Sequence, residues 1–161
     1  MSRILVSQLA RMGDLAQSLY LLQDLVRAGG HRVSVLVDAR LEAFVRAEAP
    51  RLETVYPLDV ERYLGGFRKG MSWTGLWQAL CDELRPLIQT SFDRVINLNY
   101  GKLPAAVTRT IRGRALAEGF HMDREGSLKS PGRLALTLIF SSLMSQQQAF
   151  SRIRFSNSLI L

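Results

Sequence analysis

Short apolar runs alternate with helix-like patterns over the first 57 residues, and few folds accommodate that order. Residues 4–6 form an apolar, branched run typical of a buried strand, and the leucines that follow recur three and four residues apart, as in a helix. The alternation continues through a second strand and helix to a third strand. Because a tight turn cannot join parallel neighbours, such strands pair through right-handed helical crossovers. The sequence therefore predicts a Rossmann-like α/β domain, a parallel sheet flanked by helices.

The individual elements follow from the same periodicities. Strands are predicted at residues 4–6, 32–37, 54–56, 94–98 and 114–117, and helices at 15–26, 39–49, 72–90 and 103–112. Pro86 is expected to kink or split the third of these helices. The stretch 59–72 is rich in glycine and charge, which predicts a mobile loop. Ser130-Pro131 is typical of the start of a last helix.

The net charge of +7 lies entirely in the second part of the chain. Residues 1–93 carry 11 basic and 11 acidic side chains, whereas residues 94–161 carry 10 and 3. This asymmetry indicates an anionic partner, whether a phosphate-bearing ligand, an acidic lipid or a nucleic acid, unless the surface is simply basic throughout. No nucleic acid is expected as a partner, because the arginines of residues 94–154 are scattered and not interleaved with aromatic side chains on one face.

Residue counts and missing motifs exclude several kinds of site. One cysteine and two histidines rule out a disulfide framework and a cysteine- or histidine-built metal centre. Neither a dinucleotide fingerprint nor a phosphate loop is present. No secretory signal precedes the first strand, and the apolar part of the uncharged window 134–151 is about half as long as a membrane span. These features predict a cytoplasmic protein. The apolar run at 158–161 suggests either a truncated chain or a docked terminal segment.

The turn after the first strand holds the most pointed candidate for chemistry. It reads SQLARMGD from Ser7 to Asp14, at the edge where open parallel sheets bind their ligands. Gly13 is expected to permit a sharp turn, and Asp14 to present a carboxylate to the ligand crevice. The alternative is an acid in the first turn of a helix that interacts favourably with the helix dipole.

Four stretches of the chain resemble one known family. RILVSQLARMGDLAQSLYLLQDLVRA and RVSVLVDARLEAFVRAEAPRLETVYPLD are similar to the opening of the ADP-heptose:lipopolysaccharide heptosyltransferases, glycosyltransferase family nine, with its strand, Gly-Asp turn, helix and second strand. FDRVINLNYGKLPAAVTRTIRGRALAEGF looks like the later strand, helix and strand of the same N-terminal domain. RIRFSNSLIL is similar to the stretch that precedes the interdomain linker.

The resemblance implies a GT-B architecture, with residues 1–161 as its N-terminal, acceptor-side half. It implies that Asp14 takes the proton from the acceptor hydroxyl in an inverting, metal-independent transfer, and the absence of an Asp-x-Asp motif agrees with this. No cofactor is implied, because the co-substrate is a nucleotide sugar such as ADP-heptose. That donor would bind a C-terminal domain absent from this chain, so we expect the chain alone to be inactive.

An anionic glycan or glycolipid acceptor, such as the lipopolysaccharide inner core, requires cationic contacts. The expected acceptor contacts, four of them cationic, are Ser7, Arg11, Gly13, Arg68, Lys69 and Lys102. The alternative for each cation is a solvated surface charge. A glycolipid acceptor would also bring the protein into peripheral contact with the inner membrane.

The remaining aromatic, histidine and cysteine residues are not interpreted as catalytic. Trp73 and Trp77 lie four residues apart on an apolar helix stripe, which is typical of core or membrane-facing packing. Cys81 is expected in the core, His31 at a helix end, and His121 in a loop where it is a weaker candidate for acceptor binding. The alternative to a transferase is a non-enzymatic Rossmann-like module that binds an anionic ligand or a partner protein.

Overall fold

The structure, a computed structural model, describes residues 1–123 and 125–129, without the side chains of residues 67 and 68. Five strands form one parallel sheet: β1 Ser2–Gln8, β2 His31–Asp38, β3 Thr54–Leu58, β4 Arg94–Asn97 and β5 Leu116–Gly119. Their spatial order is β3-β2-β1-β4-β5. A short antiparallel pair, β6 His121–Met122 and β7 Leu128–Lys129, follows β5.

Helices cover both faces of the sheet. On one face lie α1 Met12–Arg27 and α2 Glu42–Glu48, with a 3₁₀ turn at Ala39–Leu41 before α2. On the other face lie α3 Val60–Arg68, α4 Trp73–Glu83, α5 Arg85–Gln89 and α6 Lys102–Arg112. The described residues therefore form three layers, with the sheet in the middle.

The middle strand β1 joins two hydrophobic clusters. Ile4 and Val6 contribute to the cluster beneath α1 and α2, and Leu5 to the cluster beneath the other helices. All three side chains are fully buried. A strand covered on both faces needs apolar residues throughout, which is why β1 reads as a continuous apolar run and not as an alternating pattern.

The predicted parallel sheet and its five strands are confirmed, although each strand differs from its predicted range by one or two residues at one end or both. Strand β1 is longer than predicted, and β5 begins at Leu116 where the prediction placed residue 114. The predicted split at Pro86 is also confirmed. One helix ends at Glu83 and the next begins at Arg85, so Pro86 is the second residue of α5, where a missing N–H breaks no helical hydrogen bond.

The predicted loop over residues 59–72 is wrong in its larger part, because Val60–Arg68 form α3. Tyr63 is buried and its hydroxyl donates a hydrogen bond to the Glu83 carboxylate on α4. Burial, with that carboxylate as the second cause, raises the pKa of Tyr63. A Cβ at Gly66 would lie 2.7 Å from Cδ2 of Leu76. The glycine that suggested mobility is required by the close packing of two helices.

Several single-residue expectations are corrected. His31 begins β2 and does not lie at a helix end, and its Nδ1 is 2.6 Å from Oγ of Ser2. Cys81 is partly exposed and not a core residue. Trp73 is 60% exposed and stacks on Trp77, with ring centroids 6.2 Å apart, so core packing is wrong for Trp73, whereas Trp77 is partly buried against the core. The predicted helix at Ser130-Pro131 and everything after it lie outside the described residues.

Within the described ranges, no helix combines the length and the apolar character that crossing a membrane would require.

Candidate active site

The connections of the sheet diverge at β1. From β1 the chain runs through α1 to β2 on one side, whereas β4, on the other side, leads through α6 to β5. Ligands of open parallel sheets bind at such a point, in the crevice outside the carboxyl ends of the strands. The β1–α1 turn and the β4–α6 loop therefore border the candidate site.

Two buried asparagines tie these borders together. The Oδ1 of Asn99 accepts a hydrogen bond from the Leu9 N–H at 2.7 Å, and its Nδ2 donates to the Ser7 carbonyl at 2.9 Å. The Oδ1 of Asn97 accepts from the backbone N–H of Asn99 at 3.0 Å and from its Nδ2 at 2.8 Å. The Nδ2 of Asn97 also donates to the Phe120 carbonyl at 2.6 Å. The segments that follow β1, β4 and β5 are thereby held in one arrangement.

Gln8 fixes the first turn of α1. Its buried Nε2 donates a hydrogen bond to Oγ of Ser18 at 2.6 Å. The Ser18 hydroxyl in turn donates to the backbone carbonyl of Asp14 at 2.9 Å. The backbone at Asp14 is thus held by side chains from β1 and from the second turn of α1. The sequence alone suggested no role for Gln8.

Asp14 lies in the first turn of α1, as predicted, and is exposed. Among the described residues, no hydrogen bond or ion pair engages its carboxylate. The sharp turn predicted at Gly13 is not present, because Gly13 is the second residue of the helix and its φ is not positive. A Cβ at Gly13 would meet no atom within 4 Å. A side chain would therefore fit at this position, and no close approach requires the glycine.

Cations occupy the starts of both helices that border the crevice. Arg11 is the N-cap residue of α1 and makes no side-chain capping bond, and Lys102 is the first residue of α6, whose first turn holds no acid. Both are exposed. A helix N-terminus carries partial positive charge, so a cation there works against helix stability. The two helix ends and the two cations together make this border electropositive, with Asp14 as the acid within it.

The other predicted acceptor contacts are placed differently. Ser7 is 1% exposed and its Oγ has no partner in the described structure, so Ser7 supports the site through its carbonyl and does not line it. Lys69 is exposed in the turn after α3, on the face of the sheet opposite α1. The side chain of Arg68 lies outside what the structure describes. Arg11, Asp14 and Lys102 lie on the two helix starts that border the crevice, whereas Lys69 follows α3 on the opposite face of the sheet.

An aromatic pair that sequence reasoning missed stands at the same border. Tyr100, between Asn99 and Gly101, is 77% exposed. Its ring meets that of Phe120 edge to face, with centroids 5.2 Å apart and planes at 85°. His121, the next residue, is partly buried, and its Nδ1 lies 3.0 Å from the Gly119 carbonyl. The signals in the sequence are an aromatic residue three positions after the end of β4 and another directly after β5.

The acid at the end of β2 is already engaged. Asp38 is buried, and its two oxygens accept hydrogen bonds from Nε and Nη2 of Arg40 at 2.9 and 2.7 Å. Those bonds hold the pKa of Asp38 below its ordinary value of 3.8, against an opposing effect of burial. In dinucleotide-binding folds an acid near this position binds a ribose, but here the carboxylate is paired with the guanidinium of Arg40.

In the described ranges, no group of three histidine, cysteine, aspartate or glutamate side chains is arranged to hold a metal ion.

A cavity of about 310 Å³ lies at the opposite edge of the sheet, between the last turns of α1 and α2. Its walls include Val26, Arg27, Pro50 and Leu52. These residues precede the starts of β2 and β3, so the cavity is separated from the crevice by the length of the sheet. We take the crevice, where the connections diverge, as the candidate site.

The fold matches solved structures of glycosyltransferases. The family 9 glycosyl transferase from Veillonella parvula aligns with a TM-score of 0.57 at 22% identity, covering 73% of this chain and 31% of that chain. E. coli heptosyltransferase WaaC with ADP-2-deoxy-2-fluoro heptose aligns with a TM-score of 0.58 at 20% identity, covering 84% and 40%. WaaC with ADP gives a TM-score of 0.55 at 20% identity, covering 84% and 39%.

These alignments show a heptosyltransferase-like fold, as the sequence resemblance predicted. The chain spans 31% to 40% of the length of those proteins. No family model and no curated protein matches the sequence.

Proposed function

We propose that this chain is the acceptor-binding domain of an inverting, metal-independent glycosyltransferase of the heptosyltransferase type. The enzyme would transfer a sugar from a nucleotide donor, with ADP-heptose the first donor to test, to a lipopolysaccharide or another anionic glycan of the cell envelope. The fold of the solved neighbours supports the reaction class. We assign the donor side to the second domain of the GT-B architecture that the resemblance implies.

The observation that carries the proposal is the exposed Asp14 carboxylate at the switch point of the sheet. Its backbone is anchored through Ser18 and Gln8, yet its oxygens have no partner among the described residues. A carboxylate carried by an anchored backbone at a ligand crevice and left unpaired is suited to accept a proton from a bound alcohol. An acid retained only to stabilise the helix would need neither that crevice nor that anchoring.

The atoms and charges of the proposed transfer balance without a metal ion. The acceptor oxygen attacks the anomeric carbon of the donor sugar as its proton passes to Asp14. The bond to the nucleotide diphosphate breaks with its electron pair, so the anomeric configuration inverts. Orientation of the alcohol supplies the larger part of the rate enhancement, and a positioned base adds a factor of about 10² to 10⁴.

The electropositive border supports an anionic acceptor. Arg11 and Lys102 can bond phosphate or carboxylate oxygens, and the unpaired N–H groups at the starts of α1 and α6 favour the same charge. If the acceptor is a glycolipid, the protein works in the cytoplasm at the inner face of the inner membrane.

Acceptor binding tests the site. We expect the full-length protein to bind a lipopolysaccharide inner-core oligosaccharide with an affinity that falls as salt is added, because the contacts are exposed charges. Lys102→Met should weaken binding about tenfold, the effect of losing one charge-assisted hydrogen bond. Isothermal titration calorimetry at two salt concentrations measures both effects.

The matched control is Arg27→Met, which removes a cation beside the cavity at the opposite edge. It should leave the affinity unchanged. If the affinity does not change with salt or with Lys102→Met, or if it falls in Arg27→Met, the acceptor does not bind at the crevice. A protein that binds the oligosaccharide but transfers no sugar from any nucleotide donor would be the non-enzymatic module.

A further inference from the structure

We infer that Tyr100 is a stacking platform for the acceptor sugar ring at the mouth of the crevice. This inference rests on the proposed function and extends it by naming how a neutral part of the acceptor is held. Three observations carry it: the place of Tyr100 in the fold, the anchored backbone beside it, and an exposed ring two residues before the lysine that begins α6.

The place of Tyr100 follows from the asparagine network. Asn99 directly precedes it and bonds the N–H of Leu9 in the β1–α1 turn at 2.7 Å. Asp14 lies in the helix that this turn begins. The loop that carries Tyr100 is therefore tied by a buried side chain to the segment that carries the proposed base, so both residues border one crevice.

The backbone on either side of this aromatic contact is anchored, and the contact itself orients the Tyr100 ring. Its neighbour Asn99 is 5% exposed and makes five side-chain or backbone bonds to Ser7, Leu9 and Asn97. The ring of Phe120 meets the ring of Tyr100 edge to face, and Phe120 is itself held because its carbonyl accepts from Nδ2 of Asn97. One contact of this kind leaves at least one face of an aromatic ring open, and the 77% exposure of Tyr100 agrees with that.

An open aromatic face in this position suits a sugar. The face of the ring carries the negative part of the aromatic quadrupole, and it attracts the partly positive C–H groups on the apolar face of a pyranose. Lys102, two residues further along, and the N-terminus of α6 can bind a phosphate or carboxylate of the same ligand. The loop after β4 and the start of α6 thus supply both stacking and charge recognition. They suit an acceptor that has both a sugar ring and an anionic group.

The test compares two probes on the full-length protein. One is a lipopolysaccharide inner-core oligosaccharide, which has rings and charges, and the other is inorganic pyrophosphate, which has charges alone. Tyr100→Ala should weaken oligosaccharide binding about tenfold and leave pyrophosphate binding unchanged. Tyr100→Phe, which keeps the ring, should bind both probes as the wild type does. In proton NMR, the bound oligosaccharide should show upfield ring-current shifts that Tyr100→Ala abolishes.

Tyr20→Ala is the matched control, because Tyr20 is an exposed tyrosine in the middle of α1. It should change neither affinity. Unchanged oligosaccharide binding by Tyr100→Ala would overturn the platform and leave the proposed function standing, whereas no oligosaccharide binding by the wild type would overturn both. Equal weakening of both probes would mean that Tyr100 only shapes the loop, which also overturns the platform.

Discussion

At the scale of single residues, Asp38 is an acid that stabilises the fold through an ion pair. Its side chain is 3% exposed and pairs with Arg40 at 2.7 Å. Because those bonds lower its pKa in the folded state, the carboxylate contributes stability above its unfolded pKa of about 4 and loses it as the pH falls through the lower folded value. The unfolding free energy should therefore decline on acidification below about pH 4.

Asp38→Asn tests this directly. At neutral pH the variant should have a lower unfolding free energy than the wild type. This difference, the stability gap, should narrow as the pH falls below about 4. Urea unfolding at several pH values measures the gap. Asp24→Asn, at an exposed position of α1, should show almost no gap at any pH. A constant gap for Asp38→Asn would mean that the carboxylate charge is not the stabilising group.

Single residues also show what the sequence can and cannot predict. Asp14 was predictable, because an acid after a glycine at the start of a helix behind the first strand is a local pattern. The roles of Asn97 and Asn99 were not, because Asn99 bonds Leu9 and Ser7 across about 90 positions of the chain. Only the pairing of β1 with β4 brings these residues together. The burial of Ser7 was missed for the same reason.

At the scale of elements, α3 packs closely against α4 where Gly66 meets Leu76. The two adjacent glycines of this helix differ in surroundings: a Cβ at Gly66 would lie 2.7 Å from Leu76, whereas one at Gly65 would meet only the flexible end of Glu61 at 3.8 Å. Gly66→Ala should therefore lower the unfolding free energy by about 1 to 2 kcal/mol through overpacking. Gly65→Ala should raise it by about 0.5 kcal/mol, because alanine restricts the unfolded chain.

Urea unfolding of the two alanine variants checks this pair. Equal effects of the two substitutions would contradict the close packing of α3 on α4.

The same two glycines explain why the sequence wrongly predicted a loop here. Glycine in a charged stretch is common in loops, and periodicity cannot reveal that one glycine faces a neighbouring helix. The strands and the longer helices, by contrast, have apolar periods that their burial imposes, and they were predicted.

At the scale of the whole molecule, the order of strands and helices fixes the position of the crevice. Alternation along the chain was sufficient to predict a parallel sheet and thus a ligand edge. The charge asymmetry was less informative, because a count of charges does not show which cations stand at the ligand edge and which are already paired. Arg94 bonds Glu118 through two nitrogens, both at 2.8 Å, and Lys129 pairs with Asp123 at 3.1 Å. Lys102 stands at the crevice because α6 begins there, which composition could not indicate.

The central claim is that Asp14 removes the proton from an alcohol bound at that crevice. The direct measurement is sugar transfer from ADP-heptose to an inner-core oligosaccharide by the full-length protein and its Asp14→Asn variant, with Asp24→Asn as the control on the same helix. For Asp14→Asn we predict that kcat falls at least about 100-fold, while acceptor affinity and the unfolding midpoint remain those of the wild type. Turnover close to that of the wild type in Asp14→Asn would contradict the account.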